Sequence, residues 1–123
     1  MNTAMIGYFG ERSAAGYLRK KGYRILASNY RSRFGEIDIV ACKGGILAFV
    51  EVKTRASARF VTAAEQVDAA KQRRLIATAR QYLAAFSPGD QPRFDVIEVY
   101  VKATGDALAV TGINHLENAF TLS

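Results

Sequence analysis

Polar and apolar residues alternate in two short stretches, Gly35 to Val40 and Phe49 to Arg55, with Gly44-Gly45 between them. Alternation is the period of a half-buried β-strand. A Gly-Gly pair between two such runs supplies the positive φ of a two-residue hairpin turn. The predicted strands cover 35–43 and 46–54, and paired residue numbers sum to 89. Asp38 then faces Glu51 and Glu36 faces Lys53, and strict alternation puts all four side chains on one face. Residues 23–30 and Arg93 to Val101 read as further strands. Gly105-Asp106 marks a turn into a last strand from Leu108 to Ile113, and the tail from Asn114 onward is expected to form one short turn. Helical spacing runs from about Ala4 to Lys21, stopped at Gly22, and from about Thr62 to Phe86, stopped by Ser87-Pro88-Gly89. Gly7, Gly10 and Gly16 weaken the first helix, so close packing is the expected reason for a glycine there. The order α-β-β-β-α-β-β predicts one α/β domain over residues 1–123, with two helices on a mixed sheet of about five strands and an antiparallel hairpin inside it.

Asp38 opposite Glu51 is a poor choice for stability alone. Like charges facing each other destabilise a strand pair, and burying carboxylates costs more still. A divalent cation is the simplest compensator. Mg²⁺ binds through one or two carboxylates, keeps several waters and often holds a substrate phosphate. Lys53, two residues beyond Glu51, is placed to meet such a phosphate or an attacking water. The alternative is an ordinary solvated hairpin with a Glu36–Lys53 ion pair. Glu11 lies on or beside the apolar stripe of the first helix, either as a first-turn acid favoured by the helix dipole or as a functional acid. Lys71 lies on the stripe of the second helix, between Val67 and Leu75. Such a lysine either snorkels to water or points at the hairpin.

Half the residues are hydrophobic and 23% are charged, as in a soluble globular domain. No apolar run is long enough to span a bilayer, and Met1 to Arg12 does not read as a secretory signal, so a cytoplasmic location without membrane association is expected. Cys42 is the single cysteine, which excludes an internal disulfide, and with His115 the single histidine no structural zinc site is expected. His115 reads as a surface or packing residue. The net charge of +6 is unevenly spread. Residues 1–60 hold eleven Lys or Arg against four acids, whereas residues 61–123 hold six against seven. Three of those four acids, Glu36, Asp38 and Glu51, belong to the hairpin. A cationic surface around a small anionic cluster suits a phosphodiester polyanion over a metal, although solubility alone also accounts for a basic domain.

Gly10-Glu11, Gly22-Tyr23-Arg24-Ile25-Leu26, Asn29-Tyr30-Arg31, Gly35-Glu36-Ile37-Asp38, Phe49 to Arg55, Lys71-Gln72-Arg73-Arg74-Leu75, Arg93-Phe94-Asp95-Val96 and Asn118-Ala119-Phe120 occur in that order. This pattern resembles the YraN-like family of bacterial endonuclease-like proteins over nearly the whole chain. That family is similar in turn to Holliday junction resolvases and to the restriction-endonuclease-like, PD-(D/E)XK superfamily. The resemblance implies a restriction-endonuclease-like three-layer domain. It also implies a site of Glu11, Asp38, Glu51 and Lys53, with Asp38, Glu51 and Glu11 as ligands of Mg²⁺ or Mn²⁺. Ile37 stands where the superfamily name has proline. The expected activity is metal-dependent hydrolysis of DNA phosphodiester bonds, with branched DNA as one substrate class and a homodimer by analogy. Arg12, Arg31, Arg33, Arg55, Arg59 and Lys71 are the candidate DNA contacts. A non-catalytic nucleic-acid-binding or DNA-repair accessory module is the runner-up, and a protein-interaction domain with a basic face is the third reading.

Overall fold

The computed structural model describes residues 2–56, 67–86 and 88–121. Helix α1 covers Thr3–Lys20 and is followed by strands β1 (Arg24–Arg31), β2 (Glu36–Lys43) and β3 (Ile46–Arg55). Helix α2 (Ala69–Phe86) leads to β4 (Gln91–Thr104) and β5 (Ala107–Phe120). The predicted α-β-β-β-α-β-β order therefore holds. The sheet order is β1-β2-β3-β4-β5. All neighbours are antiparallel except β3 and β4, which run parallel with α2 as their crossover.

Local chemistry accounts for the boundaries. The Asn2 side chain caps α1 by accepting from Met5 N at 2.9 Å. Gly22, at φ 95°, closes it, with Tyr23 N donating to the Leu18 carbonyl at 2.9 Å. Gly44 and Gly45 have φ of 55° and 80°, the two positive values of a type I′ turn. The β2–β3 register sums to 89 from Lys43↔Ile46 through Ile39↔Val50, as predicted.

Two element boundaries differ from expectation. The second helix was expected from Thr62, but residues 57–66 and Ser87 lie outside the described residues. What is described begins at Ala69, because the Asp68 carboxylate takes the Lys71 amide at 2.8 Å and acts as the cap. The tail from Asn114 is strand, not turn: β5 continues to Phe120. Asn114 Nδ2 donates to Glu98 Oε1 at 2.8 Å, His115 Nε2 stands 2.8 Å from Asp95 Oδ2, and the Phe120 ring stacks on Phe94 at 4.7 Å. These contacts from β4 hold a segment whose own pattern is not alternating.

Among the described residues, the sheet carries one helix on each face. On the α1 side Ala14 and Leu18 pack with Ile39, Ala41, Val50, Val52, Ile97 and Val99. On the α2 side Leu75, Ala79 and Tyr82 pack with Ile37, Val40, Leu47, Phe49, Phe94 and Val96. Strand β3 is buried on both faces over Leu47 to Val52, which is why its sequence is nearly continuously apolar there. Helix α1 approaches β3 at Gly10. A Cβ on Gly10 would lie 1.8 Å from Thr54 Oγ1, so no other residue fits without moving the helix. That close approach also sets where Glu11, the next residue, meets the sheet.

Asp95 is the hub of a buried polar network on the α1 side. It is 1% exposed and accepts from Arg93 Nε at 2.8 Å, Arg93 Nη2 at 2.7 Å and Asn118 N at 3.1 Å, besides its contact with His115. Burial opposes its charge, but the bonds from His115 and Arg93 win and hold its pKa below the ordinary value. His115 is accordingly a packing residue, with Tyr17 edge-on to its ring at 5.5 Å. Asp95→Asn leaves Arg93 and His115 poorly paired and is expected to cost about 3 kcal/mol or more of unfolding free energy. Urea denaturation measures this, and a change below about 1 kcal/mol would mean that the network does not secure β5.

Candidate functional site

Strict alternation fails at several places in the sheet, in β1, in the β4–β5 pair and in the middle of β2, and the candidate site forms at the last of these. Ile37 and Val40 both pack on the α2 side, and so do Ala27 and Tyr30 on β1. Residues three apart on a regular strand face opposite ways. The β1–β2 ladder pairs Ser28 with Ile39 and Tyr30 with Ile37 but leaves out the position between, where Asn29 meets Asp38. Asn29 has φ 52°, a left-handed conformation that asparagine tolerates better than most residues. The β2–β3 ladder also ends at Ile39↔Val50. Asp38 is thus released from both neighbours, and its carboxylate Oδ2 accepts from Val52 N at 2.8 Å.

This brings Asp38 beside Glu51. Glu51 is 7% exposed and is approached from the α2 side by two amines, Lys71 Nζ at 3.0 Å and Lys53 Nζ at 3.6 Å from Oε1. Burial pushes the Asp38 pKa from 3.8 up to about 7, reinforced by the Glu51 charge and more weakly by Glu11 and Glu36, against the Val52 N–H. The two lysines are driven apart. Burial and the neighbouring Lys71 lower the Lys53 pKa despite Glu51. Burial also opposes charge on Lys71, but Lys53 and Glu51 beside it raise its pKa overall.

Glu11 reaches this neighbourhood from α1. Its Oε1 accepts from Asn29 Nδ2 at 3.1 Å, and the same nitrogen lies 3.3 Å from Glu36 Oε1. Glu11 and Asp38 line one polar cleft of about 570 Å³, together with Tyr8, Arg12, Arg19 and Asn29. Glu36 does not pair with Lys53, as the hairpin register alone had predicted. Beyond the break at Asp38 it turns to β1 and meets Arg31 Nε at 2.6 Å.

The predicted phosphate contacts divide. Arg12, Arg31 and Arg33 are exposed, Arg33 over the Phe34 ring at 4.9 Å. Lys71 points at the hairpin through Glu51. Arg59 lies outside the described residues. Arg55 is corrected: it is 8% exposed and its Nε bonds Glu98 Oε2 at 2.8 Å, an internal ion pair on the parallel β3–β4 seam. Alternation carries Glu51, Lys53 and Arg55 to one face, but only the β4 partner, buried Glu98, shows why the last of them faces inward.

A metal ion fits the donor set rather than a preformed cage. Among the described residues, no group of three Asp, Glu, His or Cys side chains is gathered closely enough to hold an ion. Glu51 is nevertheless buried and Asp38 half-buried beside it, and the two charges repel. Two carboxylates with water completing the shell suit Mg²⁺. Sequence reasoning did not find Asn29, which bridges Glu11 and Glu36, although the Asn29-Tyr30-Arg31 motif contained it. Nor did it find the Asp95 hub, which leaves no local trace because its partners come from distant elements.

Fold and site together define an α/β protein with a carboxylate–lysine site at a break in its sheet. The chain belongs to the family described as uncharacterised protein family UPF0102, whose pattern matches residues 10–99. It is 43% identical over 121 residues to a UPF0102 protein of Caldanaerobacter subterraneus subsp. tengcongensis, covering 98% of each chain. It is 54% identical over 95 residues to one from Symbiobacterium thermophilum, covering 76% of this chain and 80% of that one. A third, from Alkaliphilus oremlandii, is 47% identical over 118 residues, covering 94% of this chain and 97% of that one. Among the described residues no helix is long and apolar enough to cross a membrane.

The raised pKa of Asp38 has a definite sign for stability. Its folded value of about 7 lies above its ordinary 3.8, so the folded state binds the proton more tightly. Without metal, stability therefore falls as pH rises from about 4 to about 7, and then levels off. Asp38→Asn stays neutral, keeps an acceptor for Val52 N and is expected to melt several degrees higher than the parent at pH 8, but at nearly the same temperature at about pH 3. Melting curves in chelator across this range measure the difference. A gap that does not grow with pH would mean that Asp38 is solvated like an ordinary surface carboxylate.

Proposed function

We propose that this protein is a Mg²⁺- or Mn²⁺-dependent hydrolase of DNA phosphodiester bonds. The observation that carries this reading is Asp38 held at Val52 N–H beside buried Glu51, with two lysines of opposite pKa tendency against the same carboxylate. Asp38 and Glu51 would hold the metal, and Glu11 would orient water at its edge. A bound divalent ion lowers the pKa of water and neutralises charge gathering on a phosphate. Lys53, 3.6 Å from Glu51 Oε1, would orient the attacking water or stabilise the charge that develops on the phosphate. Lys71 keeps its charge and would face the phosphate. Arg12, Arg31 and Arg33 supply exposed cations for neighbouring backbone phosphates, contacts that add affinity without reading sequence.

One observation favours a second reading. Lys71 already neutralises Glu51 at 3.0 Å without any metal. A nucleic-acid-binding or DNA-repair accessory module that does not cut would tolerate that arrangement indefinitely.

A panel of linear, nicked, flapped and four-way DNA with Mg²⁺ or Mn²⁺ decides between them. Cleavage by the parent is expected, with Asp38→Ala and Lys53→Ala each slowing the single-turnover rate by about 100-fold or more while DNA affinity stays near the parent value. Calorimetry should show that Lys53→Ala retains Mn²⁺ binding and Asp38→Ala does not. Salt-sensitive DNA binding with no cutting of any substrate would leave the accessory reading.

A further inference from the structure

Tyr8 and Arg12, one turn apart on α1, form a wall shared by two clefts. On one side is the polar cleft of about 570 Å³ with Glu11 and Asp38 in its lining. On the other is a cleft of about 760 Å³ lined by Met5, Phe9 and, across from the helix, Leu108 at the start of β5. Tyr8 is 61% exposed and Met5 55%, so neither contributes much to the core. The Arg12 guanidinium lies 5.7 Å from the centre of the Tyr8 ring. Arg19 continues the cationic edge along the polar cleft.

We propose that this wall is a binding site for unpaired nucleotides of a DNA strand, immediately beside the phosphate that Asp38 and Glu51 address. The placement next to that phosphate rests on the function proposed for the site. A nucleotide presents an anionic phosphate on one side and a flat, weakly polar base on the other. The two clefts offer the same division across a single helix. The phosphate would lie along Arg12 and Arg19 in the polar cleft. The base would stack on Tyr8 and turn toward the apolar cleft at Met5 and Phe9. Single-strand sites combine a cationic track with an exposed aromatic platform in this way, and stacking accepts every base because each has a π-face. A base paired within a duplex has its faces covered by its neighbours and cannot use Tyr8. The wall therefore selects flaps, gaps and frayed junction arms over blunt duplex.

The chain contains no tryptophan, so Tyr8→Trp installs a single fluorescent reporter on the wall. The full chain carrying Tyr8→Trp and Asp38→Asn, which is not expected to cut, is titrated with a thymidine oligonucleotide, a duplex bearing a short flap and a blunt duplex. Fluorescence reports stacking, and anisotropy of labelled DNA reports binding. Saturable quenching is expected with the oligonucleotide and the flap, and none with the blunt duplex even when anisotropy shows it bound. Tyr8→Ala should weaken flap and single-strand binding about tenfold and blunt-duplex binding less than twofold, while Tyr8→Phe behaves as the parent. Equal quenching by all three DNAs, no quenching by any, or unchanged flap affinity in Tyr8→Ala would overturn the site. Quenching in a protein whose parent never cuts DNA would sink the hydrolase and keep the site. Cleavage of blunt and flapped DNA alike without quenching would do the reverse.

Discussion

The interruption where Asn29 meets Asp38 is the constraint on which the candidate site depends. A regular β1–β2–β3 ladder would use the backbone of Asp38 for pairing and would hold its side chain on a fixed face. Instead Asn29 adopts φ 52°, the ladder skips the pair, and the Asp38 carboxylate swings to the Val52 amide. Left-handed backbone at a residue other than glycine costs on the order of 1 kcal/mol or more and persists only where the surroundings over-determine it. Here the surroundings are the two cores. Tyr30 and Ile37 are drawn to the α2 side on one flank of the break, and Ile39 to the α1 side on the other. The Asn29 side chain then bonds Glu11 and lies against Glu36, so the residue that breaks the sheet also ties α1 to the break.

Among the described residues, the buried acids Asp95 and Glu98 and the half-buried Asp38 are resolved in opposite ways. Asp95 accepts hydrogen bonds from Arg93, His115 and Asn118, and its pKa is lowered. Glu98 is likewise lowered: burial opposes its charge, and Asn114 and Arg55 outweigh it. Those acids are satisfied by the protein, and their work is to bind β5 and the end of β3 to β4. Asp38 has one backbone donor against the charges of Glu51, Glu11 and Glu36, and its pKa is raised to about 7. A carboxylate left short of compensation while its neighbours in the same sheet are fully paired is the kind of group that a ligand completes. The nearby lysines both face Glu51 and shift in opposite directions, Lys53 down through burial and Lys71, and Lys71 up, where Lys53 and Glu51 outweigh burial.

Gly10 is the geometric counterpart of this electrostatic arrangement. The missing side chain lets α1 settle on Thr54, which sets Glu11, Arg12 and Tyr8 along the rim of the cleft that contains Asp38. An added Cβ would lift the helix and separate its polar residues from the sheet.

Much of this was determined by the sequence itself, because local rules reach that far. Alternation and helical spacing identified every element among the described residues in its order, and Gly44-Gly45 set the β2–β3 register, since a two-residue turn with two positive φ values leaves no freedom in pairing. That register put Lys53 on the face of Glu51, but the ladder stops at Ile39↔Val50, one pair short of the predicted opposition of Asp38 and Glu51. Tertiary structure decided what local period cannot express. It moved Glu36 from Lys53 to Arg31, because the break at Asp38 reverses the faces beyond it. It buried Arg55 on Glu98, a partner 43 residues away that only the parallel β3–β4 pairing brings near. It extended β5 through a non-alternating tail, because Asp95, Glu98 and Phe94 on β4 supply bonds and stacking that no neighbour in sequence provides. Periodicity describes a strand against one uniform surface, whereas each of these outcomes depends on a specific partner across the sheet.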